Sequence, residues 1–329
     1  MRAFITGISG FVGAHLARVL ASLGDVVAGA NREGRWPADL VETMRDARID
    51  APRAWDIGDE PTAELRRFLA EFRPDVVYHL AALSIPEDCG AAGPPTPRAL
   101  AINVDGTMRV AELAAAISNA APGQTPKRPR LIFASSSHVY GAVEPSRSLV
   151  AEDAPLNGTS AYAVTKRMAE ERLLALAATG QLEVVIARAF KHVGARQDSR
   201  LMLAEWAAQF AAGVEPVRIR SCDSVVDMTD VRDVCLAYRL LAERGVSGRV
   251  YNVGSGVPRR TGDIFLRFRA LARPGCPFVE THPGFRQEPI ADIRRIQTDT
   301  GWSPTLTLDD YLRGVWQAYR GQIDDNAKA

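Results

Sequence analysis

The chain is poor in cysteine. Its 329 residues include four, and none stands at the spacing of a zinc site, a redox motif or a disulfide framework: Cys89, Cys222, Cys235 and Cys276. Cysteines without such spacing are typical of small apolar residues in a reducing compartment. We therefore expect a cytoplasmic protein with neither a metal site nor disulfide bonds.

The chain also lacks an excess of either charge. Forty Lys and Arg residues face 39 Asp and Glu residues, so the formal net charge is +1. Such a balance gives no field to attract nucleic acid or a membrane surface, and neither is an expected partner. No apolar run reaches membrane-spanning length. The first strand pattern begins at residue 2, and we expect no signal peptide.

No internal repeat is visible, and the regular pattern is interrupted at two Pro/Gly-rich stretches, 90–97 and 121–129. These stretches predict surface loops. With 47% hydrophobic residues, the chain can bury one large core or two lobes. A globular protein of one or two lobes is the class that remains.

A glycine-rich turn directly follows the first predicted strand, residues 2–6. The turn reads Gly7-Ile8-Ser9-Gly10-Phe11-Val12-Gly13, and apolar residues then recur at helical spacing. In such a motif Gly7 permits the tight turn, Gly10 lets the backbone approach a pyrophosphate, and Gly13 lets helix and strand pack closely. The helix N-terminus presents free N–H groups to the phosphates. This arrangement predicts a dinucleotide-binding site.

The second predicted strand, residues 25–30, has no acidic residue at its tip, which carries Asn31 and Arg32 before Glu33. An acid at this tip would hydrogen-bond the ribose 2′-OH of NAD, whereas a guanidinium matches the geometry of a 2′-phosphate. The tip therefore favours NADP, with Arg32 as its reader. Arg35 could take that role instead, and a solvated loop arginine is the plainer alternative.

Strands and helices alternate through the first half of the chain. Further strands are predicted at 51–56, 75–79, 130–134 and 183–187, and helices at 62–72, 99–119 and 161–179. This alternation is typical of a parallel sheet covered by helices on both faces. We therefore predict an α/β fold, whose ligands bind beyond the carboxyl ends of the strands.

Tyr162 and Lys166 are four residues apart on the last of these helices. Positions i and i+4 share one helix face, and a nearby positive charge would lower the phenol pKa from about 10, so that it acts as acid and base near neutrality. An aromatic core residue beside a solvated lysine is the plainer alternative. Three serines, residues 135–137, follow the strand at 130–134 and fall at the edge where Tyr162 should point.

The glycine turn, the Ser-rich strand end and the Tyr162–Lys166 pair, in this order along the chain, resemble the extended short-chain dehydrogenase/reductases that act on nucleotide sugars. The resemblance extends over nearly the whole chain and rests on the Gly7 turn, Asp56-Ile57, His79-Leu80-Ala81-Ala82, Asn103, Ser-Ser-Ser-His-Val-Tyr-Gly at 135–141, Tyr162 to Lys166, Tyr-Asn-Val-Gly-Ser-Gly at 251–256 and Gly-Trp-Ser-Pro at 301–304. Residues 188–197 and 227–234 are most similar to the branch that contains GDP-mannose 4,6-dehydratase and GDP-6-deoxy-4-keto-mannose reductase.

The resemblance implies a doubly wound Rossmann-type domain over residues 1–187, a return of the chain to the sheet near 225–241, and a smaller substrate-binding lobe over 188–329. It implies three catalytic residues: Ser136, Tyr162 and Lys166. The implied NADP(H) contacts, besides Tyr162 and Lys166, are Gly7, Gly10, Phe11, Val12, Gly13, Arg32, Asp56, Ile57, Leu80, Ala81, Ala82, Asn103 and His192. The implied substrate contacts are Ser84, Ser136, Ser137, His138, Lys191, Arg196, Arg220 and Arg286.

The chain departs from this family's pattern at three positions. His138 stands where dehydratases of the branch carry the glutamate that removes the C5 proton, which favours a reductase. Lys191 replaces an asparagine that contacts the sugar diphosphate, and Val226 replaces an arginine. The diphosphate contact is therefore expected to be rebuilt from other arginines: Arg218, Arg220 or Arg286.

Three functions remain open at this point. The first is NADPH-dependent reduction of a nucleotide-diphosphate 4-keto-6-deoxyhexose, of the type GDP-4-keto-6-deoxy-mannose to GDP-rhamnose. The second is a 4-epimerase or 4,6-dehydratase that regenerates its cofactor in each cycle, and the third is a nucleotide-sensing scaffold without turnover. Ser136, Tyr162 and Lys166 argue against the third, because a binding module needs no acid/base pair. The family also implies a homodimer that pairs the helices at 103–119 and 161–179.

Overall fold

The computed structural model describes residues 1–117 and 128–326, with side chains through residue 320. In chain order its strands are β1 (Arg2–Thr6), β2 (Val26–Asn31), β3 (Arg53–Ala54), β4 (Val76–His79), β5 (Arg130–Ser136), β6 (Leu149–Val150), β7 (Val184–Ala189), β8 (Lys191–Val193), β9 (Val217–Ile219), β10 (Ser224–Asp230), β11 (Val250–Val253), β12 (Pro258–Arg260), β13 (Phe278–Glu280), β14 (Arg286–Gln287) and β15 (Ile290–Ala291). The α-helices are α1 (Phe11–Ser22), α2 (Val41–Asp46), α3 (Ala63–Phe72), α4 (Pro86–Cys89), α5 (Pro97–Leu100), α6 (Gly106–Ala116), α7 (Ala161–Ala178), α8 (Met202–Ala211), α9 (Val231–Arg244), α10 (Thr261–Ala272), α11 (Arg294–Thr300) and α12 (Leu308–Asn326).

Seven parallel strands form the central sheet, in the order β3-β2-β1-β4-β5-β7-β11. Every residue of β7 is buried, as expected for a strand with helices on both faces of its sheet. The strand order reverses between β1 and β4, which is the point where doubly wound sheets bind their ligands. The structure thus confirms the predicted fold class.

Helices cover the sheet on both faces. One face packs against α1, α9 and α11, which contribute Leu16, Tyr238 and Ile296 to a single apolar cluster. The other face packs against α3, α6 and α7, with Leu69 and Leu173 in a second cluster. These two apolar layers hold the strand ends in place on the edge where the candidate site lies.

A smaller lobe surrounds the third apolar cluster, which includes rings from α8 and α10. Trp206 meets Phe265 edge to face, with ring centroids 5.2 Å apart. Strand β10 lies in the sheet of this lobe, with β12 antiparallel to it and both β8 and β14 parallel to it. The lobe thereby carries residues of β8 and β14 next to the carboxyl edge of the central sheet.

The predicted strands and helices differ from the structure in three places. The strand predicted at 51–56 pairs only over Arg53–Ala54, next to Pro52, whose nitrogen cannot donate to a sheet. The helix predicted at 99–119 starts at Pro97, contains a wide π-type turn at Ala101–Asp105 and ends at Ala116. Residues 118 and 119 of that prediction, and most of the loop predicted at 121–129, lie outside the described residues.

The segment near 225–241, predicted to return to the central sheet, contributes a helix to it and no strand. The segment near 225–241 supplies β10, which belongs to the small lobe, and most of α9, which packs against the central sheet. The strand that joins the central sheet is β11, parallel to β7. The reason is that α9 serves as the crossover helix, and a parallel neighbour can follow only after such a crossover. The domain boundary at residue 187 stays a prediction.

Across 1–117 and 128–326, none of the helices is both long and apolar enough to cross a membrane.

Candidate active site

At two positions of the glycine turn there is no room for a side chain. Gly7 has a φ of +70°, and a Cβ added there would lie 2.9 Å from the backbone of Ala81. A Cβ on Gly13 would lie 2.2 Å from the carbonyl oxygen of Gly7. Real Cβ atoms are not found at such distances, so the turn closes this tightly against β4 and α1 only with glycine. The roles predicted for Gly7 and Gly13 match this geometry.

The N-terminus of α1 points out of this turn without a capping side chain. Gly10 is exposed at the cap position, and Phe11 and Val12 begin the helix. The first N–H groups of a helix lack partners within it and carry the positive end of the helix dipole. The cradle therefore fits the pyrophosphate of a dinucleotide.

The segment after β8 lies over this cradle. The ring of His192 stacks on Phe11, with centroids 5.8 Å apart and planes within 6°. His15 donates from Nε2 to the carbonyl oxygen of Ala195 at 3.0 Å. Arg196, with a φ of +70°, donates to the carbonyl oxygen of Ser9 at 3.4 Å.

Arg196 was predicted to bind the substrate, and the structure instead places it at the glycine turn. Besides Ser9, it contacts Asp39 in an ion pair. Its buried Nε has no hydrogen-bond partner among the described residues. The left-handed conformation of Arg196 turns the chain back onto α1, which explains the difference.

The tip of β2 brings together the groups predicted at the adenosine end. Asn31 donates from Nδ2 to Ser9 Oγ at 2.9 Å and to the carbonyl oxygen of Arg35 at 2.8 Å, which shapes the loop. Arg32 lies beside Asp56, with 3.1 Å between Nε and Oδ2, and just over half of its side chain is exposed. The remaining donors of this guanidinium have no partner among the described residues. Ile57 is buried next to this pair.

The loop after β4 forms the floor of the cradle. Leu80, Ala81 and Ala82 are each partly buried, and Ala81 lies against Gly7. Asn103, predicted to contact the cofactor, uses its side chain within the protein. It accepts from the Leu83 amide at 2.8 Å and donates to Thr165 Oγ1 at 3.1 Å.

Asn103 therefore ties this loop to α7 and supports the site from behind. The wide turn at Ala101–Asp105 carries it inward, which the sequence pattern did not reveal. Ser84, predicted to bind substrate, is exposed on the same loop.

The three residues predicted to be catalytic meet at the carboxyl end of β5. Ser160 caps α7 by accepting from the Ala163 amide at 3.2 Å, which starts the helix just before Tyr162. Tyr162 is 8% exposed, and its hydroxyl lies close enough to Ser136, at the end of β5, for the two to interact. Lys166 lies one turn further along and donates from Nζ to the carbonyl oxygen of Ala134 at 2.7 Å. The structure brings Ser136, Tyr162 and Lys166 together.

The pKa values of this group differ from the expectation. Burial raises the pKa of Tyr162 to about 12, although the hydrogen bond with Ser136 acts in the opposite direction. Burial likewise lowers the pKa of Lys166 to about 8, against the raising effect of Glu170. The predicted lowering of the Tyr162 pKa by Lys166 is wrong for the protein alone, because the ammonium points at Ala134 and desolvation disfavours the phenolate. Tyr162 keeps its proton at neutral pH.

A buried polar network behind the site was missed at the sequence level. Glu170, four residues after Lys166, accepts a bidentate pair of hydrogen bonds from Arg188 and one from Ser135. Arg188 also donates to Tyr140 Oη at 3.0 Å, and Tyr140 donates to Asn252 at 2.6 Å. The i+4 spacing after Lys166 was an available signal for Glu170. The network fixes β5 against α7 and β7.

His138 lies at the mouth of the site. Its ring meets that of Tyr162 edge to face, with centroids 5.6 Å apart. The residue is exposed to the cleft, yet partial withdrawal from water and then the charge of Lys191 lower its pKa to about 4. His138 is therefore a neutral imidazole at physiological pH.

Two charged residues of the small lobe lie beside His138. Lys191 forms an ion pair with Glu288, with 2.8 Å between Nζ and Oε2. Arg286, on β14, is exposed and adds to the positive charge near His138. Glu288 carries no sequence signal and was not predicted.

The other predicted substrate contacts are more scattered. Ser137 is buried in the turn that contains His138. Arg220 is exposed just after β9, where its charge acts on Glu205. Val226, at the position of the family's arginine, is buried in the core of the small lobe. No diphosphate contact can therefore come from position 226.

This geometry agrees with the comparisons to known proteins. The model of the NAD dependent epimerase/dehydratase family matches residues 3–254, and the chain belongs to that family.

Among curated relatives, GDP-6-deoxy-D-mannose reductase of Pseudomonas aeruginosa is 29% identical over 98% of both chains. A dTDP-glucose 4,6-dehydratase of Neisseria gonorrhoeae is 27% identical over 96% of this chain and 94% of its own. Among solved structures, RMD from Pseudomonas aeruginosa complexed with NADPH has a TM-score of 0.78 and 26% identity, covering 98% of this chain and 99% of its own.

Proposed function

We propose that this protein is an NADPH-dependent reductase of a nucleotide-diphosphate 4-keto-6-deoxyhexose, converting GDP-4-keto-6-deoxy-mannose to the GDP-rhamnose type of product. The observation that carries the proposal is the meeting of Ser136, Tyr162 and Lys166 at the carboxyl end of β5, with His138 in place of a glutamate against the Tyr162 ring. Burial raises the pKa of Tyr162 to about 12, and Ser136 lies beside its hydroxyl. A reduction needs an acid at this place, and Tyr162 is in the acid form at neutral pH.

The cofactor is proposed to be NADPH. The residues that would hold its pyrophosphate are Gly7, Gly10 and Gly13, whose cradle a Cβ would fill. The family's description names NAD, but the tip of β2 carries Arg32 where an NAD-binding protein has an acid. The similar structure of RMD was solved with NADPH, which supports this choice.

When bound, NADPH would supply the hydride for C4 of the keto sugar. Tyr162 would donate its phenolic proton to the oxygen that becomes the C4 hydroxyl, and Ser136 would orient that oxygen by a hydrogen bond. A proton from solvent would then restore Tyr162. Lys166, whose ammonium donates to the carbonyl oxygen of Ala134, would contact the nicotinamide ribose, as the family resemblance implies.

The epimerase and dehydratase alternatives have relatives among similar proteins but no favouring observation in this chain. Both begin by oxidising the sugar, for which Tyr162 would have to start as a base. A dehydratase also needs a second group to remove the C5 proton. At the position of that group this chain has His138. A neutral imidazole with a pKa of about 4 is a weak base for that step.

We further propose that the protein works as a cytoplasmic homodimer that pairs α6 and α7 across its interface, as the family resemblance implies. Light scattering of the purified protein would give twice the 35.7 kDa chain mass if this is so. A monomer at micromolar concentration would contradict the proposal.

The decisive experiment supplies GDP-mannose and its 4-keto-6-deoxy product separately, with NADPH absorbance as the readout. We expect the keto sugar to oxidise one NADPH per molecule converted and GDP-mannose to remain unchanged. His138→Ala should alter the rate of reduction only mildly, because this imidazole transfers no essential proton. Conversion of GDP-mannose without net NADPH consumption, abolished by His138→Ala, would show a dehydratase instead.

A further inference from the structure

Lys191 and Glu288 form an ion pair at the side of the cleft. The two side chains keep 33% and 21% of their surface exposed, so the pair is partly buried but reachable. Strand β10 brings it together, because β8 pairs with it at Lys191 and β14 pairs with it one residue before Glu288. The Glu288 amide continues this pairing by donating to the carbonyl oxygen of Val225 at 3.0 Å.

The pair lies next to the proposed reaction centre. Lys191 and Glu288 are the two strongest charge influences on His138, whose ring contacts Tyr162. Desolvation is the largest single effect on the pKa of Glu288 and acts to raise it, but the charge and hydrogen bond of Lys191 and the other nearby positive charges together hold that pKa below its usual range. The side of the cleft next to His138 thus carries a paired carboxylate and amine.

Most of the hydrogen-bonding capacity of this pair is unused. Among the described residues, Lys191 is the only group that donates to the Glu288 carboxylate, and Glu288 is the only acceptor of the Lys191 ammonium. A carboxylate offers about four acceptor sites and an ammonium three donors. The pair therefore presents an acceptor and a donor side by side to the cleft.

We propose that Lys191 and Glu288 together bind two neighbouring hydroxyl groups of the substrate's hexose ring. One hydroxyl donates to the Glu288 carboxylate and the next accepts from the Lys191 ammonium. This inference rests on the proposed function in assuming a nucleotide hexose in the cleft, and it names Glu288 as a specificity-determining residue. A neutral sugar is the class of ligand that fits, since a carboxylate repels a diphosphate.

The opposite role for Glu288 is competition with the diphosphate for Lys191 and Arg286. The two roles predict opposite effects of Glu288→Gln on ligand affinity. Recognition of the sugar predicts that Glu288→Gln weakens binding of the nucleotide hexose and leaves the free nucleotide diphosphate unchanged. Competition predicts that both ligands bind more tightly to the variant.

The test is calorimetric titration of the full chain saturated with NADP⁺. The ligands are GDP, UDP and dTDP and their hexose conjugates GDP-mannose, UDP-glucose and dTDP-glucose, and the tightest-binding pair of the wild type is then used throughout. For Glu288→Gln we expect the hexose conjugate to bind roughly 10- to 100-fold more weakly, the range for hydrogen bonds to charged groups. Lys191→Met should act in the same direction. Asp309→Asn, which removes the partner of Arg267 in an exposed pair on the same lobe, is the control and should change nothing.

Equal losses for the conjugate and the free diphosphate in Glu288→Gln, tighter binding of both, or no change in either would each overturn the inference. Thermal melting of each variant separates a loss of binding from a loss of folding. Binding is measured without turnover, so a protein that binds the hexose as expected but fails to oxidise NADPH contradicts the reductase proposal alone. Failure of all three conjugates to bind the wild type would overturn both.

Discussion

Replacement of Arg32 by alanine tests the cofactor assignment most directly. Arg32 meets Asp56 at 3.1 Å through Nε, so its terminal nitrogens remain available to a 2′-phosphate. Arg32→Ala removes these donors. It also leaves the Asp56 carboxylate without its cation next to the place where that phosphate would lie.

The expected loss can be worked out from the exposure of the pair. Hydrogen bonds to a charged group contribute about 1.5 to 3 kcal/mol, and solvent screening at an arginine that is 55% exposed favours the lower end. NADPH should therefore bind about 10- to 30-fold more weakly to Arg32→Ala, at about 1.4 kcal/mol per factor of ten. NADH has no 2′-phosphate, and its affinity should stay nearly unchanged.

The assay is fluorescence titration of NADPH and NADH at low and at physiological ionic strength. Since the contact is electrostatic and partly exposed, the difference in NADPH affinity between the wild type and Arg32→Ala should shrink as the salt concentration rises. Arg35→Ala is the matched control, because Arg35 is an exposed arginine of the same loop. Equal losses for both cofactors in Arg32→Ala would refute the reasoning, and a larger NADPH loss in Arg35→Ala would move the role to that residue.

Two further predictions concern the catalytic group. Tyr162→Phe removes only the hydroxyl, so the variant should fold and bind NADPH while turnover falls by about 10² to 10⁴, the usual contribution of a general acid; near-normal turnover measured by NADPH oxidation would return Tyr162 to a core role. The pH profile should report Lys166, whose pKa of about 8 means that its charge is lost as pH rises through that value. NADPH binding should therefore weaken above about pH 8 in the wild type, whereas Lys166→Arg should keep binding to higher pH because arginine stays charged; identical profiles for the two proteins would rule out this role.

Much of the fold could be predicted because it depends on neighbours in the chain. The strand predicted at 2–6 has those same bounds in the structure, and the helix predicted at 161–179 ends one residue earlier than expected. Glycine at 7 and 13 indicates a turn too tight for any side chain, and that requirement is local. The i to i+4 spacing of Tyr162 and Lys166 likewise follows from helix geometry alone.

Where local patterns conflicted, the prediction was less accurate. Pro52 shortens β3, because its nitrogen cannot take part in the sheet. The helix near Asn103 widens into a π-type turn, for which no apolar periodicity gives a signal. Both differences lie in segments whose shape depends on what packs against them.

The amino-acid sequence by itself determined the kind of fold, the glycine cradle and the pairing of Tyr162 with Lys166 on one helix face, since each is set by residues close together in the chain. Only the tertiary structure decided which distant groups meet. It places Arg196 on the glycine turn, ties Asn103 to Thr165 and joins Lys191 to Glu288 across β10. It also sets the pKa of Tyr162, because burial is a property of the packed protein and here outweighs the neighbouring Lys166. Long-range strand pairing and desolvation cannot be predicted from the spacing of residues along the chain. They determine which side chains meet at the site and what their pKa values are.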